Sequence, residues 1–229
     1  MDNFDLNDTV PASVPAQRTD GWHAQRIGRI TASRMRDVLA VSKRDGKPLQ
    51  ARQDYLMQIV CEILTGQRQP SYQNAAMAWG VEQEPMALQA YIDLTGSDVT
   101  AAGFCVHPAL EYIGASPDGL MMDRGLEIKC PFNTANHINT ILNGMPPEHM
   151  AQLQCGMWVC DLPAWDFVSF DPRLPGHMAL HVETILRDDE FIANMASECE
   201  KFWAEACELV ARLTDKTRRL MDTTGRLAA

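Results

Sequence analysis

The stretch that decides the fold is GASPDGLMMDRGLEIKCPF, residues 114–132, in which Pro-Asp precedes a polar turn and Glu-Ile-Lys follows it. Side chains alternate between the two faces of a strand. A strand over residues 126–130 therefore directs its three apolar side chains to one face, where they can join a core, and Glu127 and Lys129 to the other. The turn between the two parts predicts a hairpin that folds Asp118 back against this acid and amine.

These three side chains are suited to metal-assisted hydrolysis of a phosphodiester. Asp118 and Glu127 supply hard oxygen ligands for Mg²⁺, which typically takes one or two protein carboxylates and completes its shell with water and substrate phosphate. Lys129 would orient or help deprotonate the attacking water, while the metal acts as a Lewis acid on the phosphoryl oxygen. The pattern therefore predicts a nuclease site.

An ion pair on an exposed strand surface explains the same residues equally well. With 30 acidic residues and five lysines in 229, chance alone gives about 0.7 acid-x-Lys triplets. Two occur, and one of them, Asp45-Gly46-Lys47, lies in a turn-like stretch and indicates solvated loop charges. Glu127-Ile128-Lys129 differs because it is surrounded by strand pattern and preceded by Pro-Asp. On the residues alone, both interpretations stay open.

Helical periodicity precedes this stretch, and strand patterns surround and follow it. The principal helices are predicted at residues 51–65, 74–95, 146–159 and 188–221. Gly66 and Gly96 stand where the first two should end, and Pro85 should break or kink the second. Helices, three strands, a helix, further strands and a last helix predict an α/β fold, a mixed central β-sheet flanked by α-helices.

The whole chain is predicted to form a single nuclease domain. Its parts are a loose N-terminal arm over residues 1–17, a helical part that is basic at its start over 18–96, the nuclease core over 97–187, and a C-terminal helix over 188–221.

The composition indicates whether the protein is soluble and whether its cysteines are reduced. There is no run of 18 apolar residues and no basic, apolar leader, which predicts a soluble cytoplasmic protein without a membrane partner. The seven cysteines are scattered without a C-x-x-C pair and indicate reduced core residues.

The net charge of -10 hides a basic segment, residues 18–52, with a net charge of +6. Such a segment can bind a polyanion locally or form a solvated helix face.

Several stretches, in the same order, resemble the phage-type alkaline exonuclease family, which includes lambda exonuclease and the YqaJ-like viral recombinases. They are GWHAQRIGRITAS (21–33), AMAWGVEQEPMA (76–87), ASPDGL (115–120), LEIKCPF (126–132) and HMAQLQCGMWV (149–159), followed by WDFVSFDPR (165–173). The resemblance covers most of the chain from residue 21 to 190. It implies a restriction-endonuclease-like core.

The resemblance also implies a role for each matching residue of the catalytic centre. Asp118 and Glu127 would hold Mg²⁺ together with the Ile128 carbonyl, with two ions possible and Mn²⁺ able to substitute. Lys129 would act on the attacking water.

Further roles follow from the same resemblance. Glu84 would assist through the metal shell or its waters, and Gln154 would help to position the nucleophile. Arg26, Ser33 and Ser116 would form the pocket for a terminal 5′-phosphate.

The implied activity is 5′-to-3′ digestion of one strand of linear double-stranded DNA, with release of 5′-mononucleotides and a 3′ overhang. The family works as a ring-shaped homotrimer, and a single-strand annealing protein is the expected partner. A phage or prophage gene expressed in a bacterial host is implied. The alternatives are an endonuclease or single-strand nuclease on the same core, and a catalytically idle DNA-end-binding module.

Overall fold

The computed structural model of the chain describes residues 15–42, 44–70 and 74–227, with side chains up to residue 219. The helices are α1 (Asp20–Arg26), α2 (Met35–Val38), α3 (Gln50–Thr65), α4 (Ala75–Thr95), α5 (Thr134–Asn143), α6 (Met150–Cys160) and α7 (Asp189–Leu227). The strands are β1 (Ile30–Thr31), β2 (Cys105–Val106), β3 (Ile113–Ala115), β4 (Gly119–Leu120), β5 (Arg124–Lys129), β6 (Ala164–Phe170) and β7 (Leu180–Leu186). Most of the predicted N-terminal arm, and Lys43 of the basic segment, lie outside the described residues.

The strands form two mixed sheets with helices around them, which confirms the predicted α/β class. The larger sheet has the order β4-β5-β6-β7, and β5 and β6 are its parallel pair. Parallel neighbours need a long crossover connection, and the chain between β5 and β6 carries α5 and α6. The smaller sheet has the order β1-β3-β2.

The helices end where glycine permits a left-handed residue. Gly66 after α3 and Gly96 after α4 have φ of 64° and 66°, a conformation that carries little cost without a Cβ. Of the predicted break or kink at Pro85, the break is wrong, because α4 runs through Pro85 as one helix. Proline removes the hydrogen bond to the Val81 carbonyl, but both Pro85 and Val81 are exposed, so water can replace it.

Some elements differ from the sequence patterns. Helix α5 was not predicted, since its sequence TANHINTILN is rich in polar residues that favour turns. Its start is capped by the Asn133 side chain, which accepts from the Ala135 N–H at 3.0 Å. Strands β2 and β4 have only two residues each. Such short elements have too few residues to display a periodicity.

The larger sheet is covered on both faces by helices. On one face, Leu126 and Val168 pack in a cluster with Ala87 of α4. On the other face, Trp165 packs in a cluster with Leu153 of α6. Side-chain alternation places Glu127 and Lys129 on the α6 face. The sheet therefore has its polar catalytic candidates between β5 and a buried helix.

A further cluster joins the basic segment to the C-terminal helix. The rings of Tyr55 in α3 and Phe202 in α7 lie 5.5 Å apart. Beside them the buried Arg52 guanidinium donates to both carboxylate oxygens of Glu205 at 2.8 Å. This pair commits one arginine of the basic segment to the interior. Among the described residues, no helix has the length and hydropathy to cross a membrane.

We expect Gly156→Ala to destabilise the protein and Gly80→Ala to stabilise it, although both replace a helical glycine. A Cβ at residue 156 would lie 2.7 Å from the ring of Trp165, which Gly125 also confines. Such overpacking costs about 1–3 kcal/mol and outweighs a gain in helix propensity of roughly 1 kcal/mol. At Gly80 the added atom meets nothing within 4 Å, so the gain of about 0.5–1 kcal/mol remains.

Urea unfolding of both variants at one pH measures this difference. A Gly156→Ala protein as stable as Gly80→Ala would contradict the tight packing of Trp165.

Candidate active site

The hairpin at Asp118 stops pairing early, which leaves one edge of β5 open. The Asp118 N–H donates to the Leu126 carbonyl at 3.0 Å, and β4 pairs only Gly119 and Leu120 with β5. Beyond that point, the Ile128 N–H donates to Oδ2 of Asp118 at 2.7 Å. The carboxylate thus replaces a missing strand partner and is fixed beside β5.

Glu127 and Lys129 lie next to this carboxylate on the α6 face. The Lys129 ammonium donates to Oε1 of Glu127, and the Gln152 amide of α6 donates to the same oxygen at 2.6 Å. Glu127 is only 5% exposed, so the pair is not a surface ion pair. Within the described residues, the second oxygen of Glu127 accepts no hydrogen bond.

The electrostatics of the site are dominated by negative charge. Burial raises the pKa of Asp118 well above its usual range, and the carboxylates of Glu127 and Glu84 raise it further. Burial acts to lower the pKa of Lys129, but Glu127 and Asp118 outweigh it and raise that pKa overall. Lys129 is therefore an ammonium ion at neutral pH. The three carboxylates face two cations, Lys129 and the Arg18 guanidinium that pairs with Glu84, so negative charge remains in excess.

The Ile128 carbonyl completes a set of oxygen donors. The N–H and C=O of one strand residue point to the same side, and the Ile128 N–H faces Asp118. Its carbonyl therefore points to the same open edge. Two carboxylates and a carbonyl are hard donors that fit Mg²⁺. The part of the chain that the structure describes contains no group of three or more His, Cys, Asp or Glu side chains that could hold a metal ion.

Glu84 reaches this site from α4, on the other side of the sheet. It forms an ion pair with Arg18, and it lies close enough to raise the pKa of Asp118. The neighbouring Gln17 amide donates to the Pro117 carbonyl at 2.6 Å. Gln17, the last residue of the predicted N-terminal arm, is thus bound to the segment that carries Asp118.

The three residues predicted to bind phosphate come together in a second cluster. Arg26 donates to Oγ of Ser116 at 2.9 Å and to Oγ of Ser33 at 3.5 Å. The Trp22 indole N–H donates to the same Ser116 oxygen at 3.0 Å, and the Arg26 guanidinium lies 4.3 Å from the centre of the Trp22 ring. Arg26, Ser33 and Trp22 line a cavity of about 300 Å³. The cluster joins the catalytic site through Ser116, two residues before Asp118.

Gln154 does not reach the catalytic cluster, contrary to the role predicted for it. Its side chain is buried, donates to the Leu186 carbonyl at 2.9 Å and accepts from the Asp188 N–H at 2.9 Å. Residues two apart on a helix lie about 200° apart around its axis. Gln152 therefore faces Glu127, while Gln154 fastens α6 to the start of α7.

Two residues at this site, Gln152 and His149, were not predicted from the sequence. The sequence does not single out Gln152, because two glutamines on a helix whose docking is unknown cannot be ranked. His149, at the start of α6, stacks on Phe167 with ring centres 5.3 Å apart. Burial, with a further contribution from the Lys129 charge, lowers the pKa of His149 to about 4. Its imidazole is therefore neutral beside the site.

The basic segment is not one uniform surface. Arg52 is buried against Glu205, and Arg34 pairs with Asp37. Arg26 instead lies in the cavity beside Ser116. The segment thus uses some of its arginines in ion pairs within the chain and places Arg26 in the cluster next to the catalytic centre, while Arg36 and Arg44 are exposed.

The fold and the site together define a nuclease of the restriction-endonuclease-like class. A mixed sheet carries a Pro-Asp hairpin against a Glu-x-Lys strand, where Asp118 accepts from the Ile128 N–H and Lys129 donates to Glu127. The chain belongs to the family of the YqaJ-like viral recombinase domain, which matches residues 21–163.

Solved structures support this assignment. An alkaline exonuclease from Laribacter hongkongensis, LHK-Exo, is 41% identical and has a TM-score of 0.81, with 88% of this chain and 100% of that chain covered. LHK-Exo in complex with dAMP is 42% identical, with the same TM-score and coverage. A phage-related exonuclease from Haemophilus somnus 129PT is 16% identical with a TM-score of 0.64, over 81% of this chain and 96% of that one, and shows the fold alone.

A curated relative matches a shorter part. The ExoD protein of Escherichia coli strain K12 is 32% identical over 65 residues, which are 28% of this chain and 74% of ExoD.

We expect Asp118→Asn to stabilise the protein in EDTA at pH 8. An acid whose pKa is raised by folding loses stability as the pH rises from its unfolded to its folded value, and this cost is present at pH 8. Asparagine removes the charge that burial and the neighbouring carboxylates disfavour, so the free energy of unfolding should rise. Asparagine keeps the acceptor for the Ile128 N–H.

Asp166→Asn is the matched control. The buried Asp166 accepts from Tyr91 and Thr184, each at 2.6 Å. Loss of its charge should therefore destabilise the protein by about 1–3 kcal/mol. Urea unfolding in EDTA distinguishes the two, and a destabilised Asp118→Asn variant would count against electrostatic strain at the site.

Proposed function

We propose that the protein is a Mg²⁺-dependent 5′-to-3′ exonuclease of linear double-stranded DNA, which releases 5′-mononucleotides and leaves 3′ single-stranded overhangs. The observation that carries the proposal is the arrangement of two clusters on one short segment. Ser116 belongs to the cluster around Arg26, and Asp118 belongs to the cluster around Glu127 and Lys129.

The residues of the second cluster suit hydrolysis of a phosphodiester. Asp118, Glu127 and the Ile128 carbonyl would hold Mg²⁺, or Mn²⁺ in its place, and the family resemblance allows a second ion. The bound metal would supply Lewis-acid activation of the phosphoryl group and of a water molecule. Lys129 is positively charged, so it would orient that water and stabilise the charge that develops on the phosphate oxygens.

The residues of the first cluster favour a free 5′ end. Arg26 is the cation, and the hydroxyls of Ser33 and Ser116 add donors that can turn toward a phosphate. Ser116 precedes a proline and is therefore biased to an extended conformation. Its Cα lies at most about 7 Å from that of Asp118, a separation comparable with that of successive phosphates on one strand. A terminal phosphate at Arg26 would bring the next phosphate to Asp118.

The comparisons support the same reaction. A solved structure of LHK-Exo contains dAMP, and a deoxynucleoside monophosphate is the product expected from this reaction. A 3′ overhang is a substrate for a single-strand annealing protein, which we propose as the functional partner. We also propose that the protein acts as a homotrimer, as the family resemblance implies. Restricting positive charge to the DNA path would leave the acidic remainder to limit binding elsewhere.

Two alternatives use the same residues. An endonuclease or a single-strand nuclease could share the catalytic cluster, since Asp118, Glu127 and Lys129 fix the hydrolysis but not its polarity. An idle DNA-end-binding module could keep the Arg26 cluster without turnover. The oxygen donors of Asp118, Glu127 and the Ile128 carbonyl, together with the Lys129 ammonium, favour an active enzyme.

We expect a linear duplex with a phosphate on only one 5′ end to lose that strand first. The assay uses strand-labelled DNA with Mg²⁺ or with EDTA, and it compares the wild type with Lys129→Ala and Arg26→Gln. EDTA should abolish digestion, and Lys129→Ala should slow it at least roughly 100-fold. Arg26→Gln should mainly remove the preference for the phosphorylated end, because it removes the cation at that cluster.

The other outcomes separate the alternatives. Cleavage of circular DNA would favour an endonuclease, and equal use of both ends would contradict the phosphate pocket. DNA binding without any cleavage by the wild type would indicate a binding module.

We expect Gln152→Leu to reduce catalysis and Gln154→Leu to reduce stability. Gln152 donates to Glu127, and loss of a group that orients a metal ligand typically costs 10–100-fold in activity or metal affinity. Gln154 instead satisfies the Leu186 carbonyl and the Asp188 N–H, so its loss should cost about 1–3 kcal/mol of stability. Hydrolysis rates and urea unfolding of both variants test these two roles. Slower hydrolysis by Gln154→Leu together with lower stability of Gln152→Leu would instead support the predicted role of Gln154 in positioning the nucleophile.

A further inference from the structure

A second cavity begins at Lys129 and runs along α5. Its volume is about 470 Å³, which is within the usual size of a small-molecule site. We call it the asparagine pocket. Its lining includes Lys129, Asn136, Asn139, Asn143, His149 and Phe167. It shares no lining residue with the cavity at Arg26.

The wall formed by α5 offers polar groups that the protein does not use. Asn136, Asn139 and Asn143 follow helical spacing and are exposed. The Asn143 amide nitrogen donates to the Asn139 oxygen at 2.8 Å, which leaves the Asn139 nitrogen and the Asn143 oxygen free. Among the described residues, the Asn136 side chain has no hydrogen-bond partner. Donors and acceptors therefore point into the pocket together.

The imidazole of His149, which rests on the buried Phe167, adds an aromatic ring to the lining. His149 stacks on Phe167, and the low pKa of His149, about 4, keeps its ring uncharged at neutral pH. A flat neutral ring beside free amides suits a nucleobase, since bases stack on aromatic faces and bond through their edges. A lipid or an apolar peptide would leave the three amides without partners.

The pocket and the Arg26 cluster fit two different nucleotides of one strand. This step rests on the proposed function. Hydrolysis that releases a 5′-mononucleotide adds a water oxygen to phosphorus and breaks the bond from phosphorus to the 3′ oxygen of the terminal nucleotide. That oxygen takes a proton, and the phosphate stays on the second nucleotide. The terminal nucleotide lies between Arg26 and Asp118, so the second must extend from the phosphate in another direction.

We propose that the asparagine pocket holds the nucleoside of the second nucleotide, whose phosphate lies at Lys129. Lys129 is the residue that joins the catalytic cluster to this cavity. Asparagine amides both donate and accept, so they can bond to the edges of all four bases. The pocket would thus hold the strand in register for cleavage while tolerating any sequence.

The test uses 5′-phosphorylated duplexes in which the second nucleotide of the digested strand carries a normal base or is abasic. Single-turnover cleavage of the first phosphodiester is measured for the wild type and for the double variant Asn136→Ala/Asn139→Ala. Both positions are exposed on a helix, where alanine is well tolerated. Asn194→Ala, an exposed asparagine on α7, is the matched control.

The wild type and Asn194→Ala should cleave the abasic substrate about tenfold more slowly than the normal one, in keeping with the usual contribution of one stacked base. The double variant should be slow on both and lose most of this difference. An abasic site at the fifth nucleotide should have no effect on the first cleavage in any variant.

A binding measurement does not depend on turnover. A duplex with 2-aminopurine as the second base, mixed with the wild type in EDTA, should change its fluorescence on binding, and the double variant should show a smaller change. Normal digestion by the wild type with no effect of the abasic site and no fluorescence change would overturn the pocket and leave the exonuclease standing. Absence of Mg²⁺-dependent digestion of the intact duplex would overturn both proposals.

Discussion

The site depends on one constraint, the early end of β4. After two residues of pairing, the backbone of β5 at Ile128 has no strand partner, and a backbone N–H cannot be left unsatisfied in a partly buried position without cost. The Asp118 carboxylate fills that place at 2.7 Å. A structural need of the sheet thus fixes a carboxylate beside Glu127, where like charges repel. The ammonium of Lys129, which donates to Glu127, offsets part of this repulsion.

The two helices on either side of the sheet then complete the centre from opposite directions. Helix α4 supplies Glu84 and continues through Pro85, since the unpaired carbonyl faces water. Helix α6 supplies Gln152, and its close approach to β6 is possible because Gly156 makes room for Trp165. The packing of one buried ring therefore sets the distance at which an amide reaches Glu127.

Positive charge is distributed unevenly in this acidic chain. Some arginines of the basic segment are used internally, as in the ion pair of Arg52 with Glu205. Arg26 is instead held between Trp22 and Ser116 beside the catalytic centre. A guanidinium kept in place by an aromatic ring and a hydroxyl has little freedom to lose when it binds an anion. Net charge alone would have argued against a nucleic-acid ligand, whereas the local arrangement favours one.

The sequence by itself determined the α/β class, the glycine-ended helices at Gly66 and Gly96, and the strand alternation that puts Glu127 and Lys129 on one face, because these follow from local periodicity and turn chemistry. It could not determine which of two glutamines meets Glu127, that α5 forms, or that α4 passes through Pro85. Those outcomes depend on how helices dock and which groups face water, and short-range patterns carry no information about either. Only the tertiary structure brought Arg26 to Ser116 and placed α5 and His149 in one pocket with Lys129, since these contacts depend on how separate elements dock.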